Sequence, residues 1–83
     1  MKMRAYVLVE AAVGKTKGVG EGIGRLKPVE AQILSVDVVT GPFDVIALLE
    51  ADDLDKLGRA LTEDIQQVDG VQRTTTCLLL KLG

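Results

Sequence analysis

The sequence predicts an α+β fold in the order βαββαβ. Three observations carry this expectation. Apolar, strand-like runs lie at residues 5–13, 29–40, 43–51 and 71–82. Two segments with helical spacing separate them, at residues 16–27 and 54–68. Glycine, proline or aspartate marks the breaks.

The first run, from Ala5 through Val13, ends at Gly14. Thr16 is placed to cap the helix that follows, in which Val19, Ile23 and Leu26 recur on one face until Pro28 stops it. Gly18, Gly20, Gly22 and Gly24 oppose helix formation, each by up to about 1 kcal/mol relative to alanine, so tertiary packing has to hold this segment. The second run contains Ile33, Leu34, Val36, Val38 and Val39, and Thr40-Gly41-Pro42 turns it into the third as an antiparallel hairpin. Asp52 and Asp53 supply carboxylates for the second helix start, where backbone N–H groups lack partners. Leu54, Leu57, Leu61, Ile65 and Val68 make its apolar stripe, and Asp69-Gly70 ends it before the last strand. Right-handed crossovers turn this order into one antiparallel four-stranded sheet with both helices on one face, the ferredoxin-like arrangement.

A chain of 83 residues holds one domain, residues 1–83, with a marginal core of its own. Its single cysteine, Cys77, and lack of histidine exclude an internal disulfide and make a structural zinc site unexpected. No cofactor is implied. Hydrophobic residues make up 47% and charged residues 27%, against disorder. The net charge of −2, without a basic stripe, disfavours direct nucleic-acid binding. No apolar run approaches the ~20 residues needed to span a bilayer, and the N-terminus has no signal-peptide pattern, so the expectation is a cytoplasmic protein without a membrane partner.

A sheet covered on one face should alternate apolar and polar residues. These strands instead contain Val7-Leu8-Val9, Val45 through Leu49, and Leu78-Leu79-Leu80. Two helices cover only one apolar face, and large exposed apolar patches are uncommon on monomers. The economical solution is a homodimer packed sheet against sheet about a two-fold axis.

Catalytic and phosphate-binding motifs are weak. Gly14-Lys15-Thr16 lacks the earlier glycine of a phosphate loop, since Val9 stands there, and no set of glycines between Gly14 and Gly24 makes G-x-G-x-x-G. Without histidine, Ser–His and Cys–His pairs are excluded; Ser35 has no evident base, and Cys77 reads as inert packing in an apolar strand. Asp52/Asp53 reads as a helix start and Glu63/Asp64 as a solvated face, while Glu10 and Asp37 interrupt apolar strands near their exposed ends. No catalytic or metal-binding residue is assigned.

Two segments remain as a binding site. Thr40-Gly41-Pro42-Phe43-Asp44 offers a glycine for close backbone approach and a carboxylate for an ammonium group. Gly70-Val71-Gln72-Arg73-Thr74-Thr75-Thr76 places the Thr74 and Thr76 hydroxyls on one side of a strand, suited to a carboxylate. An ordinary turn and a β-branched strand explain the same residues without a ligand.

At these residues the chain resembles the ligand-binding and oligomerisation (RAM) domain of the leucine-responsive/AsnC family (Lrp/AsnC) of bacterial and archaeal transcription regulators. Ala5 through Val9, Gly14, Val39 through Asp44, Asp53, Gly70-Val71, Thr74 and Thr76 carry the resemblance over nearly the whole chain. It begins near residue 4 and so is to the stand-alone type, without the family's N-terminal helix-turn-helix domain. The resemblance implies the βαββαβ fold, dimers through the sheet faces and rings of dimers. It also implies amino acids or similar small effectors bound between dimers, at Gly41, Phe43, Asp44, Thr74 and Thr76. Pro42 falls at a variable position, and the glycine-rich first helix departs from the usual pattern. The function expected is a non-enzymatic amino-acid sensor linked to transcription regulation of amino-acid metabolism, joining full-length family regulators in mixed oligomers or acting through another partner. The alternatives are a purely structural oligomerisation module and, more remotely, an acylphosphatase-like enzyme, for which Lys15-Thr16-Lys17 lacks the arginine-rich loop.

Overall fold

A computed structural model describes residues 2–80. The elements follow the expected order: β1 (Met3–Ala11), α1 (Thr16–Arg25), β2 (Ala31–Val38), β3 (Val45–Ala51), α2 (Leu54–Arg59, continued by two irregular turns) and β4 (Val71–Leu78). The strands form one antiparallel sheet in the spatial order β2-β3-β1-β4, the ferredoxin-like topology. All four strands stop short of the expected bounds at one end or both. The last stops at Leu78, with Leu79 and Leu80 outside it, and the expected extension through residues 81–82 lies outside the described residues.

The central strands are buried on alternate residues. Ala5, Val7 and Val9 of β1 and Val45, Ala47, Leu49 and Ala51 of β3 face the helices, which contribute Val19, Ile23, Leu57, Ala60 and Ile65. Full burial of a Leu, Ile or Val side chain is worth about 1.5–3 kcal/mol, so these positions hold the layers together. No buried polar or charged residue interrupts this core among the described residues.

The glycines of α1 divide by what they touch. A Cβ on Gly20 would stand 2.7 Å from Val38 Cγ2, and one on Gly22 would stand 2.7 Å from Val68 Cγ1. These two let α1 approach β2 and the end of the second helical segment, the close packing that compensates for their low propensity. Gly18 and Gly24 face open space. Thr16 does not cap: Lys15 occupies the N-cap position and no side chain bonds the first turn. Lys15 Nζ lies 3.6 Å from Asp69 instead.

The second helical segment is not one α-helix. Asp53 caps its start, accepting the Lys56 N–H at 2.8 Å. The α geometry lasts to Arg59, a π turn spans Ala60–Asp64, and a 3₁₀ turn spans Ile65–Gln67. Leu57, Leu61 and Ile65 advance by four residues, which drifts about 40° per step around a 3.6-residue helix. A wider turn absorbs the drift and keeps Ile65 fully buried. Thr62 Oγ1 bonds back to the Gly58 carbonyl at 3.1 Å, a local bond that bends helices, and Gln67 Nε2 donates to the Thr62 carbonyl at 3.1 Å. Leu54, expected in the apolar stripe, is 58% exposed because it sits at the first turn, beyond the sheet's cover.

Candidate functional site

The loop between β2 and β3 closes through the Val39 N–H donating to the Asp44 carbonyl at 2.9 Å. Gly41 has φ +139°, a conformation that side chains resist, so glycine is required at this corner. Phe43 and Asp44 are half-buried, while Gly41 is exposed. The Asp44 N–H donates to the Val9 carbonyl at 2.9 Å, and Asp44 Oδ2 accepts the Ala11 N–H at 2.8 Å. The physical cause lies in the strand lengths. The Ala12 N–H goes to Gly70 O on one side of β1, so that of Ala11 points to the other side, where β3 has not yet begun. The Asp44 carboxylate replaces the missing ladder partner. One of its oxygens is thus committed to the fold.

The other half of the expected site is on the edge strand β4. Thr74 is opposite Val9 and Thr76 opposite Val7, so both hydroxyls belong to the helix-side face. Thr76 is exposed and Leu78 is 40% exposed, so the helix layer does not fully cover this edge. Val9 is opposite Val45 on its other side. The hairpin and Thr74 therefore share one end of the sheet but stand two strand spacings apart, about 10 Å. Within one chain Gly41, Phe43, Asp44 and Thr74 share an end of the sheet, Thr76 lies opposite Val7 at the middle of β1, and the five make no closed pocket.

The described clefts lie elsewhere. One, of about 370 Å³, is lined by Lys2, Glu30, Gln32, Glu50, Asp52 and Lys56 among others. It sits at the opposite end of the sheet, where Met3 pairs with Ala51. Its charges are already partnered: Lys2 Nζ lies 2.9 Å and Lys56 Nζ 3.6 Å from Asp52. Hydrogen bonding to Lys2, then the Lys2 and Lys56 charges, hold the Asp52 carboxyl below its ordinary value, and the bond to Asp52 raises Lys2. A second cleft, of about 360 Å³, adjoins the π turn at Arg59, Ala60, Glu63 and Asp64.

Gln66, exposed on the 3₁₀ turn, is not among the residues the sequence singles out. The structure brings its Nε2 to donate to Thr74 Oγ1 at 2.8 Å, across from the irregular end of the helix to β4. The sequence signal is the pair of four-residue steps Leu57-Leu61-Ile65, which a straight helix fits as well as a wide turn. Cys77, expected as packing, is exposed.

The far side of the sheet has an apolar centre. Tyr6 (43% exposed) and Leu8 of β1 are opposite Leu48 and Ile46 of β3, with Cys77 opposite Tyr6 on the other flank and Leu34 at a β2 bulge. Ion pairs frame it: Arg4–Glu50 at 2.7 Å and Arg73–Glu10 at 3.9 Å. Asp37, opposite Ile46, is exposed.

The family model described as the Lrp/AsnC ligand binding domain matches residues 4–82. The chain belongs to this family. Among curated proteins, it is 29% identical over 75 residues to an HTH-type transcriptional regulator of Pyrococcus horikoshii, PH0140, covering 90% of this chain and 45% of that protein. The chain spans about half the length of the curated relatives it matches. Among solved structures, TTHA0845 from Thermus thermophilus superposes with a TM-score of 0.84 at 32% identity, covering 98% of this Lrp/AsnC chain and 96% of that one. Escherichia coli AsnC shares the fold, with a TM-score of 0.83 at 16% identity over 96% of this chain and 52% of its own. So does the Neisseria meningitidis transcriptional regulator NMB0573, solved as an L-Met complex, with a TM-score of 0.78 at 17% identity over 95% and 50%. The matched curated relatives are transcription regulators, and no described helix here is long and apolar enough to cross a membrane.

Proposed function

We propose that this Lrp/AsnC domain is a non-enzymatic, cytoplasmic amino-acid-sensing and oligomerisation module serving transcription regulation. The effector binds between dimers, at Gly41, Phe43 and Asp44 of one hairpin and Thr74 and Thr76 of an edge strand. The observation that carries this reading is the location of the hairpin and Thr74 at one end of the sheet, about 10 Å apart, with Thr76 two residues further along the same strand face. An ammonium group fits the Asp44 oxygen not used by Ala11, and a carboxylate fits the threonine hydroxyls. A second dimer closes the gap that a single chain leaves. The apolar sheet face favours a two-fold partner, with its ion-paired ends as the polar rim. The L-Met complex of NMB0573 supports an amino acid as the effector class. Full-length family regulators are the partners this surface would suit in mixed oligomers.

The second reading is a purely structural oligomerisation module, favoured by the position of the described clefts away from these residues. Light scattering behind a sizing column, with melting curves, separates the two readings across a panel of the twenty L-amino acids. A site saturated at 100 times its dissociation constant stabilises by about 2.7 kcal/mol. An oligomer whose mass and melting temperature ignore the whole panel would leave the structural module. Asp44→Asn keeps an oxygen for the Ala11 N–H and removes the charge, so it should lose the effector and keep the fold.

A further inference from the structure

We propose that Gln66 is a positioning residue for the effector carboxylate, acting through Thr74. The inference rests on the amino-acid site proposed above and adds a residue and a direction of hydrogen bonding to it. Gln66–Thr74 is the one hydrogen bond between two uncharged side chains among the described residues. In it the amide Nε2 donates and the hydroxyl oxygen accepts, at 2.8 Å. A threonine hydroxyl has one proton to give and two lone pairs to receive. With a lone pair occupied by Gln66, the proton is turned away from the helix, and no described acceptor takes it. A hydroxyl that receives one bond also donates a stronger one. Thr74 is thereby set as a donor, the polarity a carboxylate requires.

The fold builds this arrangement at some expense of regularity. Gln66 reaches β4 from the 3₁₀ turn Ile65–Gln67, which follows the π turn Ala60–Asp64. Ile65 anchors the turn in the core with no exposure, while Gln66 itself is exposed. The helix is thus pinned one residue before the amide, and the amide is free of core packing. A glutamate here has the same length but the opposite sense: its carboxylate accepts, so the Thr74 proton turns inward and lone pairs and charge face the ligand.

The test uses calorimetry on the full chain. The twenty L-amino acids are screened on the wild type, and the tightest binder is carried forward with its α-carboxamide analogue. Gln66→Met is expected to weaken the amino acid roughly two- to tenfold, the range of one neutral hydrogen bond. Gln66→Glu is expected to weaken it more than tenfold and to narrow the preference for the acid over the carboxamide. Gln66→Met on a Thr74→Val background should change little, because the amide acts through the hydroxyl. Circular dichroism and mass should match the wild type in both Gln66 variants, as befits an exposed position. Wild-type affinity in Gln66→Glu, or additive losses in the double variant, would overturn the role of Gln66 while leaving the amino-acid site standing. A wild type that binds none of the twenty would overturn both.

Discussion

Replacing Gly18 and Gly24 by alanine should stabilise the domain. Four of the ten residues of α1 are glycine, and Gly18 and Gly24 have nothing within 4 Å of an added Cβ. Alanine there removes backbone freedom from the unfolded chain without a clash in the folded one. The gain is about 0.5–1 kcal/mol per site, toward the lower value because both lie near helix ends. For 83 residues, 1 kcal/mol moves the melting temperature by about 6 °C. The double variant should therefore melt about 6–12 °C higher. Gly70→Ala is the opposing control. Its φ is +97°, and its Cβ would lie 2.8 Å from Lys15 Cβ and 3.0 Å from Val19 Cγ2. Left-handed strain of about 1–2 kcal/mol and crowding of about 1–3 kcal/mol combine there, so melting falls by more than 10 °C. The assay is thermal unfolding by circular dichroism at one fixed protein concentration, since self-association makes the midpoint depend on it. A loss of stability in Gly18→Ala/Gly24→Ala would refute the reasoning, because it would mean that one or both of these positions of α1 are covered in solution.

Asp53→Ala removes the acceptor for the Lys56 N–H and should cost about 1 kcal/mol, read as a fall of about 6 °C in melting temperature. Asp52 is depressed and Lys2 raised by their mutual bond, so its contribution is lost as pH falls through the depressed Asp52 value and as pH rises through the raised Lys2 value. Melting curves of the wild type and Asp52→Asn should thus meet at both extremes of pH and differ between them; a constant offset would count against the pair. Leu48→Lys places a charge on the apolar side of the sheet, opposite Tyr6, and should shift the mass measured by light scattering toward the monomer. An unchanged mass would show that this face is not the interface.

Element order, the antiparallel sheet and the buried face of α1 were legible because apolar runs and helical spacing mark them, whereas the buried residues of β1 and β3 were not, because both strands are apolar at consecutive positions. Val7 and Val9 are buried while Tyr6 and Leu8 are not, although all four look alike in composition. The period of two, with the helices on one face, separates them. The irregular second helix was less legible. The four-residue steps Leu57-Leu61-Ile65 fit both a straight helix and a widened one, and the choice depends on the sheet beneath. Strand ends were misjudged for a related reason: Val13 and Val29 are apolar but sit in turns, essentially fully exposed, where only tertiary packing could have covered them.

At the candidate site, residue types were legible and their duties were not. Asp44 reads as a charge for a ligand, yet its first partner is the Ala11 N–H at 2.8 Å. The bond exists because β3 begins at Val45, one residue after Asp44, and leaves β1 without a ladder partner there. This anchoring suits recognition. A carboxylate tied by one oxygen loses less freedom when the other meets an ammonium group, which is the advantage of preorganisation in binding. It also explains why Asp44→Ala is a poor probe: the variant would orphan a part-buried N–H and disturb the fold together with the site. Asp44→Asn keeps the anchor, so a loss of affinity in that variant reports on the charge alone.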